Sequence, residues 1–445
     1  MSIDKLTPLQ RLSGALLALV WLLVVLYLVL GFALLRALAV GCLAAFLFCA
    51  VPKASVHIRL LFGAGVIAAA WSILGARDWG PVLRGLQSGI IIGAFFPTIL
   101  LLRATADESR LLGATRARID SWNETQREVW VQAASHLLGS FLMIGGYVIA
   151  RSALPARLHE EQRVRLAQSA VLGLGLAACW SPFFLASAIA SQLVPAVHAW
   201  QLVALGLGFA AIGWSIARLM FFRSLDVAAL AAPLRGVVTF AMPSTALVAL
   251  VVALSVATGL RSLEAVVLVV PPACLAYLAT LGREPTLRAL NRLPATLARV
   301  SDEVIVFTTA MCVGAVVAGS GAGQALSQLL AGLAGTPLLL IPAEVALIAG
   351  AGYAGLHPMI SATLMLPVLA EAHRQLSSLV VAYIVVFGWV LSSLVAIWTL
   401  PVASAATNFG VPVRRLALGR NLRFVLAFGI LGCMVLAALN RLMMS

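Results

Sequence analysis

Charge is scarce in this chain. Only 10% of its 445 residues are Asp, Glu, Lys or Arg, and lysine is confined to Lys5 and Lys53. A water-soluble surface carries roughly a quarter to a third charged residues, so this composition cannot clothe a large aqueous domain. Paired cysteines are missing too. Cys42, Cys49, Cys179, Cys274, Cys312 and Cys433 all lie in apolar stretches without the short spacing of metal knuckles or disulfide scaffolds, so they read as small packing residues, and neither a metal nor a cofactor is expected. Gly319-Ser320-Gly321-Ala322-Gly323 lacks the Lys-Ser/Thr of a phosphate loop and has no strand before it, so it reads as a flexible break. Without a nucleotide-binding sequence, direct use of ATP is not expected. The formal charge of +14 comes from arginines scattered among the connections. No basic run is long enough to track a phosphate backbone, which leaves anionic lipid headgroups as the counterpart and excludes a nucleic-acid partner.

What is abundant is apolar surface. Hydrophobic residues make up 62% and the mean hydropathy is +1.05. Run after run is long enough to cross a hydrocarbon core of ~30 Å at ~1.5 Å per helical residue. The expected fold class is an all-α polytopic membrane protein with about ten to twelve transmembrane helices. The apolar pattern places spans near 12–35, 37–51, 60–75, 80–102, 128–150, 194–218, 236–259, 262–282, 303–320, 376–400 and 424–441. Residues 1–11 read as a cytoplasmic stub before a first anchor, because the following apolar run is too long for a signal peptide and lacks a small-residue cleavage site. The five arginines of 103–127, mixed with Asp107, Glu108, Asp120 and Glu124, read as a solvated cytoplasmic helix. Arg151 to Arg165 reads as an amphipathic helix lying at the interface.

Two segments, 166–193 and 336–369, are too long for one straight crossing, and each carries a helix-breaking pair. Ala178-Cys-Trp-Ser-Pro-Phe-Phe-Leu-Ala-Ser187 and Ala354-Gly-Leu-His-Pro-Met-Ile-Ser-Ala-Thr363 echo one another. Pro182 and Pro358 stand 176 positions apart, and the glycine-bearing stretches His136-Leu-Leu-Gly139 and Met311-Cys-Val-Gly314 stand 175 apart. The expected organisation is therefore 1–127, N-terminal helices and a loop; 128–282, a first repeat; and 283–445, a second. Proline removes a backbone donor and pushes its predecessor out of helical conformation. In hydrocarbon the freed groups need partners, which protein, water or substrate can supply, and the start of the following half-helix favours an anion. Ser181, Pro182, Ser187, His357, Pro358, Ser361 and Thr363 are the candidate substrate-binding residues; the bland alternative is a pair of packing kinks. If both segments return to their own side, the N-terminal side collects twenty of the thirty Lys and Arg, which makes the N-terminus cytoplasmic. On that span list the two repeats run parallel, whereas repeats of this kind are usually inverted.

Ionisable groups inside spans tend to be functional. His357 at a half-helix start is suited to bind an anion when protonated and release it when neutral. Glu344 and His136 are candidates for carrying a coupling proton or cation, with a wet hairpin mouth and a cap on a neighbouring helix as their respective alternatives. Glu264 reads as interfacial.

With a glycine-bearing span, a segment with a polar tip and further spans, all repeated over residues 128–442, the chain resembles the ion transporter superfamily, which includes divalent anion/sodium symporters and arsenite-type carriers. That resemblance implies two hairpins, an elevator-like mechanism and a homodimer. Its symporters carry Ser-Asn-Thr at each hairpin tip; here Ser181 corresponds, His357 stands as a substitution, and the Asn and Thr positions do not match, which leaves sodium coupling and a dicarboxylate substrate open. The expected function is secondary active transport of a small anionic solute across the inner membrane, without enzymatic activity. A membrane-embedded enzyme acting on lipid-linked glycans and a non-transporting assembly subunit are the competing classes.

Overall fold

The computed structural model describes residues 7–108, 119, 122–143, 145–152, 154–155, 158–222, 231, 233–235, 237–298, 300–321, 325, 328, 336–356, 358, 360–362 and 372–444. Helix is the only regular structure among them, as expected where each backbone group must find its partner inside its own segment. In chain order the helices are α1 (Pro8–Leu30), α2 (Ala33–Ala50), α3 (Val56–Ala70), α4 (Gly80–Asp107), α5 (Glu124–Leu142), α6 (Gly145–Ser152), α7 (Glu160–Ala178), α8 (Leu185–Leu193), α9 (Ala199–Phe221) and α10 (Val238–Thr258). There follow α11 (Ser262–Leu281), α12 (Arg283–Leu297), α13 (Ser301–Ala318), α14 (Pro337–Tyr353), α15 (Ser378–Val395), α16 (Leu400–Phe409), α17 (Val413–Ala417) and α18 (Arg420–Met444). Among the described residues nine helical stretches are long and apolar enough to cross a membrane, and Thr245–Thr258 and Pro337–Tyr353 are shorter apolar helices. The chain is an all-α, multi-pass membrane protein.

Local chemistry sets the helix ends. Thr7 caps α1 by accepting from the Gln10 amide, Pro8 occupies the first turn where its missing N–H costs nothing, and Gly31 ends the helix at φ 74. The sequence pattern and the structure differ in two spans, both because the backbone breaks where the hydropathy does not. The span 128–150 divides into α5 and α6 at Met143, whose φ is 53. The span 376–400 is interrupted after Val395 and resumes as α16 up to Phe409. The stretch 160–165, expected as part of an interfacial helix, instead forms the first turns of α7.

The chain forms two compact units that do not follow chain order: Met1–Glu108, Leu263–Leu333 and Ala362–Ala372 make one, and Ser109–Ser262, Ala334–Ser361 and His373–Ser445 make the other. In the first unit α4 is the central helix, packed on α1, α2, α12 and α13. Its Gly85 and Gly89 face α13 one turn apart, and close approach explains why both are glycine: a Cβ on Gly85 would lie 2.5 Å from the Cα of Cys312, and one on Gly89 2.7 Å from the Thr308 methyl. Arg288 of α12 forks onto Glu108 just past the end of α4, with Nε at 3.1 Å and Nη2 at 3.0 Å from the same oxygen.

In the second unit α15 is the core. Phe209 of α9 stacks against its Tyr383 and Phe387, with ring centroids 4.5 and 5.0 Å apart, and Phe428 of α18 lies 5.1 Å from Phe387. α5 pairs with α7, and α14 with α15.

Gly85→Ala should lower stability by about 1–3 kcal/mol through overpacking against backbone that cannot rotate away. Gly41→Ala, with open space around it, should leave thermal unfolding of the detergent-purified protein unchanged.

Candidate functional site

Two helices of the second unit are interrupted in the same way. α7 ends at Ala178 and α8 begins at Leu185; α15 ends at Val395 and α16 begins at Leu400. Pro182 lies in the first gap and Pro401 in the first turn after the second. Neighbouring side chains take over the backbone bonds lost at the first gap. The Ser181 hydroxyl donates to the carbonyl of Ser140 and accepts from the Phe183 amide at 3.2 Å. The Tyr383 hydroxyl donates to the Cys179 carbonyl at 3.2 Å, and the Trp180 indole N–H donates to His136 Nε2 at 3.1 Å. Gly206 of α9 sits against this gap because any side chain there would collide with the Cys179 carbonyl. At the second gap the Thr399 hydroxyl donates to the Ala396 carbonyl at 2.7 Å.

The interruptions are neighbours. α7 packs on α16 and α8 on α15, so the long half of each helix lies along the short half of the other. Gly175, one turn before the first gap, packs against Leu394, just before the second: a Cβ on Gly175 would lie 2.9 Å from the Leu394 Cγ. At ~1.5 Å per residue the two gaps then open within roughly 10 Å of each other along the helix axes.

Each gap exposes the start of a helix that no side chain caps. The amides of Leu185, Ala186 and Ser187, and of Leu400 and Val402, have no hydrogen-bond partner among the described residues. Ala186, Ser187 and Val402 are buried. Free amides at helix starts normally find caps, water or a ligand, and the dipole adds about half a positive charge at each start.

Two further turns reach the same places. α6 packs back along α5, with Gly146 against Gly139, so the turn at Met143 lies next to Ser140, the partner of Ser181. At the end of α14, Gly355 has φ 98 and Pro358 returns beside Gly352. The Ser392 side chain also faces Gly352; its hydroxyl is fully buried and has no partner among the described residues.

The structure thus places Ser181, Pro182 and Ser187 at the first gap. Pro358 and Ser361 follow the turn after α14, where both are buried and the Ser361 hydroxyl donates to the Pro358 carbonyl at 2.8 Å. His357 and Thr363 lie outside the described residues. Glu344 is buried in α14, eight residues before Gly352. His136 touches the first gap through Trp180, and its ring also meets Trp214 edge-on at 6.0 Å. The residues missed from the sequence are Ser140, Ser392, Trp398 and Thr399. A signal for the last two existed: Trp398-Thr399, then Pro401, then Ala403-Ser404 repeat in order Trp180-Ser181, Pro182 and Ala186-Ser187. Among the described residues no group of three or more His, Cys, Asp or Glu gathers as a metal would require.

A cluster of charges lies at one end of α5, α7 and α18. Glu128 pairs with Arg420 at 2.6 Å and Arg165 at 3.0 Å; the side chains of Glu128 and Arg420 are only 7% and 13% exposed. Arg420 also donates to the Ser169 hydroxyl at 2.6 Å and the Arg165 carbonyl at 2.9 Å, while Arg165 reaches Glu124. Beside this cluster an open cleft of about 430 Å³ is lined by Arg414, Arg415, Glu161 and Gln168.

Removing one member of the buried pair leaves the other charge uncompensated. Arg420→Met should cost ~3–5 kcal/mol, and a Glu128→Gln/Arg420→Met double variant less than the sum of the two single losses, read as shifts in thermal unfolding. No protein-family model matches the sequence and no curated protein matches it, so any function for this unit rests on the two interrupted helices and the turns that meet them.

Proposed function

We propose that the chain is a secondary transporter of a small anionic solute, held in the second unit where the two interrupted helices cross. The observation that carries this reading is the set of five backbone amides at two neighbouring helix starts that have no partner among the described residues. In hydrocarbon an unsatisfied buried amide costs several kcal/mol, and neither start carries an acidic side chain that would compete for them. An anion satisfies these donors without a fixed countercharge. Ser181, Thr399 and Ser392, the last with no partner among the described residues, supply neutral side-chain oxygens nearby.

The same arrangement supports a revised repeat. α5 to α8 form one copy and α14 to α16 the other; each has a helix that ends in a tight turn, then an interrupted helix running alongside it. The interrupted helices run in opposite directions, since Gly175 meets Leu394 while Arg163, earlier on α7, donates to the carbonyl of Gly410, beyond the end of α16. Such antiparallel copies make an inverted repeat, with α5–α6 and the turn after α14 as hairpins entering from opposite sides. This supports the resemblance to the ion transporter superfamily and, with it, elevator-type movement and a homodimer. The end bearing Arg165, Arg414, Arg415 and Arg420 is assigned to the cytoplasm, in an inner membrane. His136 is the group best placed to couple a proton, because its Nε2 accepts the Trp180 indole next to Ser181 and protonation would convert that acceptor into a donor.

Proteoliposomes should take up at least one small anion with saturation. Ser181→Ala and Thr399→Val should each slow that flux about tenfold, the effect of ~1.4 kcal/mol, with a smaller shift in thermal unfolding than Arg420→Met causes. Absence of flux for every anion tried, or unchanged flux in both variants, would discard the assignment.

A further inference from the structure

Resting on the transport reading above, we infer that the solute is a monovalent organic anion with an apolar body, and that Trp398 is the wall against which that body packs. The first argument is charge. Residues 139–149, 176–198, 352–362 and 388–408, which hold both gaps and both turns, contain no Lys, Arg, Asp or Glu. With His136 and His357 neutral, the positive potential available there comes from two helix starts, at Leu185 and Leu400, each worth about half a charge. Together they match one negative charge; a dianion would keep an uncompensated charge in a low-dielectric site, where isolated ions are strongly disfavoured. The fully buried Ser392 hydroxyl, packed against Gly352 near the second gap, has no partner among the described residues.

The second argument is the apolar surface around these donors. Trp398 lies inside the second gap and is 69% exposed, and its ring edge would come within 3.5 Å of a Cβ on Gly355 in the turn after α14. Tyr353 and Leu356 of that turn are 46% and 54% exposed. Non-helical backbone at membrane depth is tolerated where it lines a cavity or is covered by protein, not where it faces lipid. We assign the exposed face of this gap to the solute path, where it offers an indole, a phenol and an isobutyl group. Trp180, its counterpart at the first gap, is buried and held by His136. One tryptophan is fixed by the protein and the other is left for the ligand. An inorganic oxyanion or a small dicarboxylate would gain nothing from such a wall, whereas a ring or alkyl group buries apolar area on it.

The test is uptake of radiolabelled benzoate, acetate, succinate and sulfate into proteoliposomes holding the full chain. Benzoate should be carried about tenfold faster than acetate at equal low concentration, and succinate and sulfate not above empty vesicles. Trp398→Ala should remove the advantage of benzoate over acetate, read as the ratio of the two fluxes, and Trp398→Phe should restore it. Succinate or sulfate flux equal to that of benzoate, or a benzoate-to-acetate ratio unchanged in Trp398→Ala, would overturn this inference and leave transport standing. No flux for any of the four, or for other anions, would overturn the transport reading itself and this inference with it.

Discussion

A peptide group that loses its helical partner inside a membrane has almost nowhere to turn, and the second unit is organised around that constraint. Both interrupted helices contain a proline at or just past the gap, so each necessarily frees backbone donors and acceptors. On the acceptor side the protein itself answers: Tyr383 donates to the Cys179 carbonyl, Ser181 to the Ser140 carbonyl and Thr399 to the Ala396 carbonyl. On the donor side, the first amides of α8 and α16 have no partner among the described residues. The hydroxyl bonds cover some of the freed carbonyls, and each helix start keeps a positive potential with no acidic side chain in its first turn.

Packing explains why such costly gaps persist. The gaps face one another across an antiparallel pair, so each is shielded by the continuous half of its neighbour. Close contacts hold that geometry: Gly206 admits α9 up to the Cys179 carbonyl, and the aromatic group of Phe209, Tyr383, Phe387 and Phe428 fixes α15 against α9 and α18. One cluster of fixed charge is kept at an end of the bundle. Glu128, Arg165 and Arg420 neutralise one another where α5, α7 and α18 begin, far enough along the helices that their field does not compete with the weaker helix-start potentials.

Much of the architecture was legible before any coordinates. Hydropathy alone located nearly every long helix to within a few residues, since an apolar run of bilayer length has one stable conformation in lipid. Ser181-Pro182 was legible as a break for the same local reason, proline chemistry. Less legible was which stretch answers it. The letters pair Ser181-Pro182 with His357-Pro358, and the stretch 378–409 also has a helix-gap-helix form, although hydropathy runs unbroken through Ala396–Thr399 and the proline lies two residues past the gap. The turn at Met143 was hidden as well, because no proline marks it and only a positive φ reveals it.

By itself, then, the sequence determined the solvent, the helical class, the approximate spans and one of the two gaps, all consequences of side-chain hydrophobicity and of proline's missing donor, which act over a few residues. Only the tertiary structure decided which gaps meet, which freed groups find partners, that α5 doubles back through α6, and that Trp398 stays open while Trp180 is tied to His136. Those outcomes depend on contacts between residues more than two hundred positions apart, such as Gly175 with Leu394 and Cys179 with Tyr383, and no local pattern in the chain encodes such a distance.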